Sequence, residues 1–213
     1  MTSVYQKIFL GDIAARHAVE NTFALRILFK KLAESIKQPL SFTRIANIVS
    51  SAGAKVGTNT IINYMEYARE AWLINPIQNI AGKLVDKETV PKYYFTDNGL
   101  LNLFLLDGNT SLLENMVAIH LLRKFGRNDA VYFYNRGIEV DFYVPDSSAA
   151  IQVCFDIDNN TGTFDREVKA LLKITEVLEC HHLLIITWDN ERMLEIRGKK
   201  IEVIPVWKWL LNL

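Results

Sequence analysis

The sequence predicts an α/β protein in two modules, and three observations carry that reading. Residues up to about 105 hold three apolar-periodic helical stretches and then two short extended pieces. Residues 106–213 run helix–strand–strand–strand–helix–strand, the order of an α/β sandwich with a mixed sheet. Between residues 131 and 155, strands rich in Val, Phe and Tyr carry a polar cluster: Asp141 lies inside one, and Gln152 and Cys154 share a face of the next. A carboxylate inside such a strand is costly unless it is paired or metal-bound. Asp141 is therefore the residue most in need of an explanation.

Length and composition bound the function classes. The chain has 213 residues, half of them hydrophobic, enough for one or two real cores. Its 24 basic and 24 acidic side chains balance, but not evenly along the chain. Residues 1–105 carry 12 Lys and Arg against 8 Asp and Glu, and residues 106–213 carry 12 against 16. A basic half beside an acidic half points to modules with different partners. Two cysteines, Cys154 and Cys180, form no disulfide framework or zinc spacing. No apolar run has transmembrane length and the N-terminus lacks a secretory pattern, so the chain reads as cytoplasmic with no membrane partner.

In the first module, Asn21 or Thr22 caps a helix through Phe23, Ile27, Leu28, Leu32 and Ile36, ended by Pro39. Ser41 caps a second through Ile45, Ala46 and Val49, closed at Gly53. Thr58 is expected to cap a third through Ile61, Ile62, Met65, Ala68 and Trp72. The pieces at 73–77 and 92–95 pair as a hairpin. Three helices followed by a two-stranded wing make a winged helix, with a helix-turn-helix in its second and third helices. The exposed start of the third helix is the part that enters a DNA major groove in such units. Here it offers Thr58, Asn59, Thr60 and Asn63, preceded by Lys55. Asn reads adenine edges and Lys contacts phosphates, so DNA is a candidate partner and a docked protein the alternative.

The stretch Gly53-Ala54-Lys55-Val56-Gly57-Thr58 is not a phosphate-binding loop. That loop needs Gly, four residues, then Gly-Lys-Ser/Thr, and no glycine here has that spacing.

In the second module, Asp107-Gly108-Asn109 reads as a turn before a helix at 112–125 that places Leu113, Met116, Val117, His120 and Leu121 toward a core. Strands at 131–135 and 138–144 join through Arg136-Gly137, and a turn at 145–148 leads to a strand at 149–155. Thr163 is expected to cap a helix at 164–179. An apolar strand follows at 183–187, then strands at 193–196 and 201–204 and a tail with Trp207 and Trp209 that anchors against the core.

This element order resembles the core of the PD-(D/E)XK nuclease superfamily, a restriction-endonuclease-like fold. The resemblance implies that an acid on the first helix, an Asp on the second strand and a Glu-x-Lys on the third converge to hold Mg²⁺ and cleave a phosphodiester. Residue by residue, Glu114 falls at the helix acid and Asp141 at the strand Asp, which makes them the implied metal ligands. Gln152 falls at the Glu position and Cys154 at the Lys position. Glu139 shares the face of Asp141. Gln152 lacks the negative charge, and a thiol with an ordinary pKa of about 8.5 cannot replace an ammonium. Arg166 or Lys169 on the following helix is the candidate substitute cation, and Glu167 either complements the helix N-terminus or lines the cleft near Gln152.

A longer pattern is more specific. The winged helix, then Lys-Tyr-Tyr-Phe-Thr-Asp-Asn-Gly-Leu-Leu at 92–101, Leu-Leu-Glu-Asn-Met-Val at 112–117 and Glu-Val-Asp-Phe at 139–142 resemble the C-terminal region of a prokaryotic AAA-type ATPase family. There a nuclease-like domain of unknown function follows the ATPase domain. The resemblance covers nearly the whole chain. It implies ATP only through an ATPase domain outside these residues, in cis or in trans. Typical members carry Glu-Val-Lys where this chain has Gln152-Val153-Cys154. The expected function is thus a DNA- or partner-binding region of an ATPase with an inactive nuclease-like domain. The alternatives are an active Mg²⁺-dependent endonuclease and a docking or dimerisation module. Asp97 and Asn98 read as a turn and helix cap.

Overall fold

The computed structural model describes residues 1–83, 90–106, 108–126, 129–157 and 161–211. The chain divides into two compact units, one of Met1–Ile77 with Val85–Gly108, the other of Gln78–Leu84 with Asn109–Leu213. The protein is α/β, with a mixed sheet of eight strands and eight α-helices among the described residues.

The first unit opens with a helix that the sequence does not announce. It begins as an α-helix, α1 (Thr2–Gln6), and continues as a π-helical stretch over Lys7–Ala15. Its buried residues are Phe9, Ile13 and Ala14. Three helices follow. In α2 (Thr22–Glu34) the Asn21 side chain accepts the Ala24 N–H at 2.9 Å, satisfying one of the donors a helix start leaves open. In α3 (Phe42–Ser51) the Ser41 hydroxyl does the same for Arg44 at 3.3 Å. Gly53, at φ +95°, turns the chain out of α3 in a conformation suited to glycine. α4 (Thr58–Glu70) starts from Gly57, not from a Thr58 cap; Thr58 is its first helical residue. α2 packs on α3 and α3 on α4, with Leu25, Leu28, Phe29, Ile45, Val49 and Ile61 buried.

The hairpin expected after the third helix is present. β1 (Ile74–Asn79) pairs antiparallel with β2 (Lys92–Phe95), Ile74 opposite Phe95 and Ile77 opposite Lys92. All four residues of β2 are buried. Asp97 caps the short α5 (Asn98–Leu101), accepting the Leu100 N–H at 3.0 Å. Of the expected turn at 107–109, Asp107 lies outside the described residues.

The second unit is built on α6 (Asn109–Phe125), which begins three residues before the position read from sequence. It continues through β3 (Tyr132–Asn135), β4 (Glu139–Val144) and β5 (Ala149–Val153). Then come α7 (Thr161–Ile174), β6 (His182–Thr187), β7 (Arg192–Ile196), β8 (Lys199–Pro205) and α8 (Val206–Leu211). Strand order is β2-β1-β3-β4-β5-β6-β8-β7, with the last two residues of β1 parallel to β3. β3, β4 and β5 pair antiparallel; β5, β6 and β8 pair parallel; β7 closes the order antiparallel to β8. Arg192, Met193 and Glu195 of β7 are exposed. Parallel neighbours need a crossover, and α7 supplies it between β5 and β6. α7 is placed earlier and ends sooner than expected, so Thr163 lies inside it and is not its cap. Trp209 is buried as anticipated for an anchor, whereas Trp207 is 55% exposed.

Replacing Asn21 by Ala removes the α2 cap and is expected to lower stability by about 1 kcal/mol, read as a shifted denaturation midpoint at unchanged m-value.

Candidate functional site

The ladder between β4 and β5 runs from Val144↔Ala149 to Phe142↔Ile151. The next facing pair is Asp141 and Gln152, and here side chains take over from backbone. The Asp141 N–H donates to Gln152 Oε1 at 2.9 Å, and Gln152 Nε2 donates to the Glu139 carbonyl at 2.9 Å. In return, the Val153 N–H donates to Asp141 Oδ2 at 3.0 Å. Two side chains thus satisfy three backbone groups. Gln152 is 1% exposed, and an amide suits this place because it accepts and donates at once. On its other edge β5 stays bonded to β6, where Cys154 N–H reaches the Ile186 carbonyl at 3.0 Å. The strand departs from β4 alone, so the opening lies between β4 and the end of β5.

Charged groups gather at this opening. Cys154 is buried, and its Sγ lies 3.5 Å from the Asp156 carbonyl. Burial, then the neighbouring charges of Glu167, Asp156 and Asp141, push its thiol up, so it stays neutral. α7 packs on this face through Val168, Leu171 and Ile174, which share a cluster with Tyr143, Ala150 and Cys154. The same helix carries Arg166 and Glu167. Glu167 is buried, and its carboxyl is held above the usual range mainly by desolvation, with Asp141 and Glu139 adding to the rise. Arg166 donates to Glu167 Oε1 at 2.7 Å and also feels Glu139 and Asp141. The structure therefore assembles Glu139, Asp141, Gln152, Cys154, Arg166 and Glu167. Lys169 is exposed on α7.

Glu114 is buried to 2% exposure in α6, which packs against β5 and α8. Among the described residues, no three His, Cys, Asp or Glu side chains come together as a metal cage. One oxygen of Asp141 is committed to Val153 and the Gln152 oxygen to Asp141. This donor set is a poor match for Mg²⁺, which takes a near-octahedral oxygen shell.

At the other candidate surface, Lys55, Asn59 and Asn63 are exposed and Thr58 and Thr60 half-buried at the start of α4. The turn leading in is fixed by Ser50, whose Oγ accepts the Val56 N–H at 3.3 Å. No helix among the described residues is long and apolar enough to cross a membrane.

Residues 1–112 match a family described as a domain of unknown function, DUF8612. The chain belongs to that family. Over 216 residues it is 31% identical to an uncharacterized protein of Methanocaldococcus jannaschii, covering 96% of this chain and 48% of the relative. Over 217 residues it is 29% identical to an uncharacterized protein of Haemophilus influenzae, covering 100% of this chain and 52% of the relative. The chain spans about half the length of the curated relatives it matches. The DUF8612 match takes in all the α4 residues named above, whereas the acidic cluster falls after it. The bridging role of Gln152 was not read from sequence, although an amide facing an in-strand Asp was the available sign.

Two outcomes follow for this DUF8612 protein. Gln152→Leu leaves the Asp141 N–H and Glu139 carbonyl without their partner and should cost about 2–4 kcal/mol, whereas Asp141→Asn, which keeps an oxygen for Val153, should cost under about 1 kcal/mol; urea unfolding of both variants measures this. Because the Glu167 pKa is raised on folding, its contribution is favourable below the ordinary value of 4.5 and is lost as pH rises through the elevated folded value. Glu167→Gln should therefore flatten the fall in stability just above pH 4.5 and leave the variant at least as stable at neutral pH, which thermal melts across that range will show.

Proposed function

We propose that this chain is a nucleic-acid-holding region with a non-cleaving nuclease-like unit, working within or beside an AAA-type ATPase. One observation carries the non-cleaving part. The position where the nuclease pattern has a metal-binding Glu holds Gln152, and its amide is committed at both ends to the β4 backbone. Its companion Cys154 is a neutral thiol, with no ammonium to stabilise charge developing on a phosphate. In this reading α2, α3, α4 and the β1–β2 hairpin form a winged helix, and the start of α4 lies in the DNA groove. Exposed Lys55, Asn59 and Asn63 support that contact, as does the basic balance of residues 1–105. The ATPase connection rests on the resemblance at 92–101, 112–117 and 139–142. It is consistent with relatives about twice as long.

A second reading keeps catalysis, and Arg166 favours it. Its guanidinium is close enough to Asp141 and Glu139 to feel both charges, which is where a substitute cation would sit. Arg166 is nevertheless engaged by Glu167 at 2.7 Å, and the first reading remains the better supported.

The full chain, incubated with plasmid and single-stranded DNA in Mg²⁺ or Mn²⁺, is expected to leave both intact. It should bind duplex DNA with an affinity that falls steeply as salt rises, and Lys55→Ala should weaken that binding and shallow the salt slope. Cleavage that disappears in Asp141→Ala and Arg166→Ala would establish the second reading. Salt-insensitive or absent binding would leave protein docking.

A further inference from the structure

Beside the N-terminal helix of the first unit runs a groove of about 380 Å³, within the size range of small-molecule sites. Its walls come from three places: the α1 and π-helical stretch, α2, and Phe104. Tyr5, Phe9 and Phe104 make it aromatic. Tyr5 meets Phe104 edge-on at 5.3 Å and Phe9 at 5.6 Å, and Phe9 in turn meets Phe29 edge-on at 6.0 Å.

The groove is chemically one-sided. Its two charged residues, Arg26 and Lys30, stand one turn apart on α2 and are both basic. Among the described residues neither has an ion-pair partner, and the Arg26 guanidinium lies over the Phe9 ring at 5.6 Å. The Tyr5 hydroxyl is buried yet has no hydrogen-bond partner. A buried hydroxyl left open costs stability and calls for an explanation. Burial raises its pKa to about 12, against the opposing pull of Arg26, so it is a donor at neutral pH. The floor is π-helical at Phe9 and Leu10, a winding that costs stability and recurs at functional sites.

We propose that this groove binds an aromatic carboxylate, its ring against Tyr5, Leu10 and Phe104 and its carboxylate held by Arg26, Lys30 and the Tyr5 hydroxyl. The planar guanidinium matches a carboxylate fork, the otherwise open phenol gains an acceptor, and the aromatic walls take a flat apolar body better than an ion alone. This ligand is independent of any nucleic acid held at α4.

The test titrates the full chain with 2-naphthoate, with 2-naphthalenemethanol as the neutral analogue and with inorganic phosphate. Calorimetry gives affinity and amide NMR gives location. Naphthoate should shift the resonances of Tyr5, Phe9, Arg26 and Phe104 and bind about tenfold or more tightly than either control, the worth of one charge-assisted contact. Arg26→Gln should lose about that factor while keeping the wild-type circular dichroism, and Tyr5→Phe should lose several-fold without loss of stability. Equal affinity for acid and alcohol, phosphate binding as well as naphthoate, or an unchanged Arg26→Gln would each overturn the proposal. So would saturation of the same residues by an acidic aromatic peptide but not by naphthoate, which would make the groove a protein-docking surface.

Discussion

The exchange between Asp141 and Gln152 is the constraint on which the second unit turns. Where β4 and β5 part, the backbone groups of Asp141, Glu139 and Val153 would face one another across a widening gap. The two side chains reach across and close the account of hydrogen bonds. That lets the sheet open without leaving buried polar groups unmet. It also fixes the carboxylate of Asp141 in one place, facing Glu167 and Cys154. The end of the β4–β5 ladder and the polar cluster are therefore one feature, produced where side chains replace backbone pairing.

That exchange explains why part of the site was legible in the sequence and part was not. Asp141 stood out because a charge among Val, Phe and Tyr must be compensated. Its compensation is now visible: one oxygen holds the Val153 amide, and Arg166 contributes positive charge nearby. Spacing placed Gln152 and Cys154 on its face, since period two fixes which strand residues look the same way. What spacing does not encode is where a ladder stops. Gln152 looks like a degenerate ligand in one dimension and acts as a strand bridge in three. Arg166 and Glu167 were only options from sequence, because the phase of α7 depends on where the helix begins.

The same distinction runs through the fold. Helices with polar starts were readable, as Asn21, Ser41 and Asp97 each cap the helix expected of them. Two threonines gave the same signal and misled: α4 is entered from Gly57 with Thr58 as its first residue, and Thr163 is absorbed into α7. The opening helix was not read from sequence, although Phe9 and Ile13, both buried, stand four residues apart, a spacing that puts them on one helix face. The strands were easier, since runs such as Leu183-Leu184-Ile185-Ile186 suit a place between two parallel neighbours.

The place of β7 at the end of the strand order has a consequence for the protein in bulk. A terminal strand invites a foreign strand to add to it, the first step toward fibrous aggregates. Here the last strand is five residues long, and its exposed positions include Arg192 and Glu195. Any newcomer would have to strip water from both charges before gaining a short run of amide contacts. The sheet's growth is thus checked at that margin, and concentrated solutions of the protein are guarded there by charge.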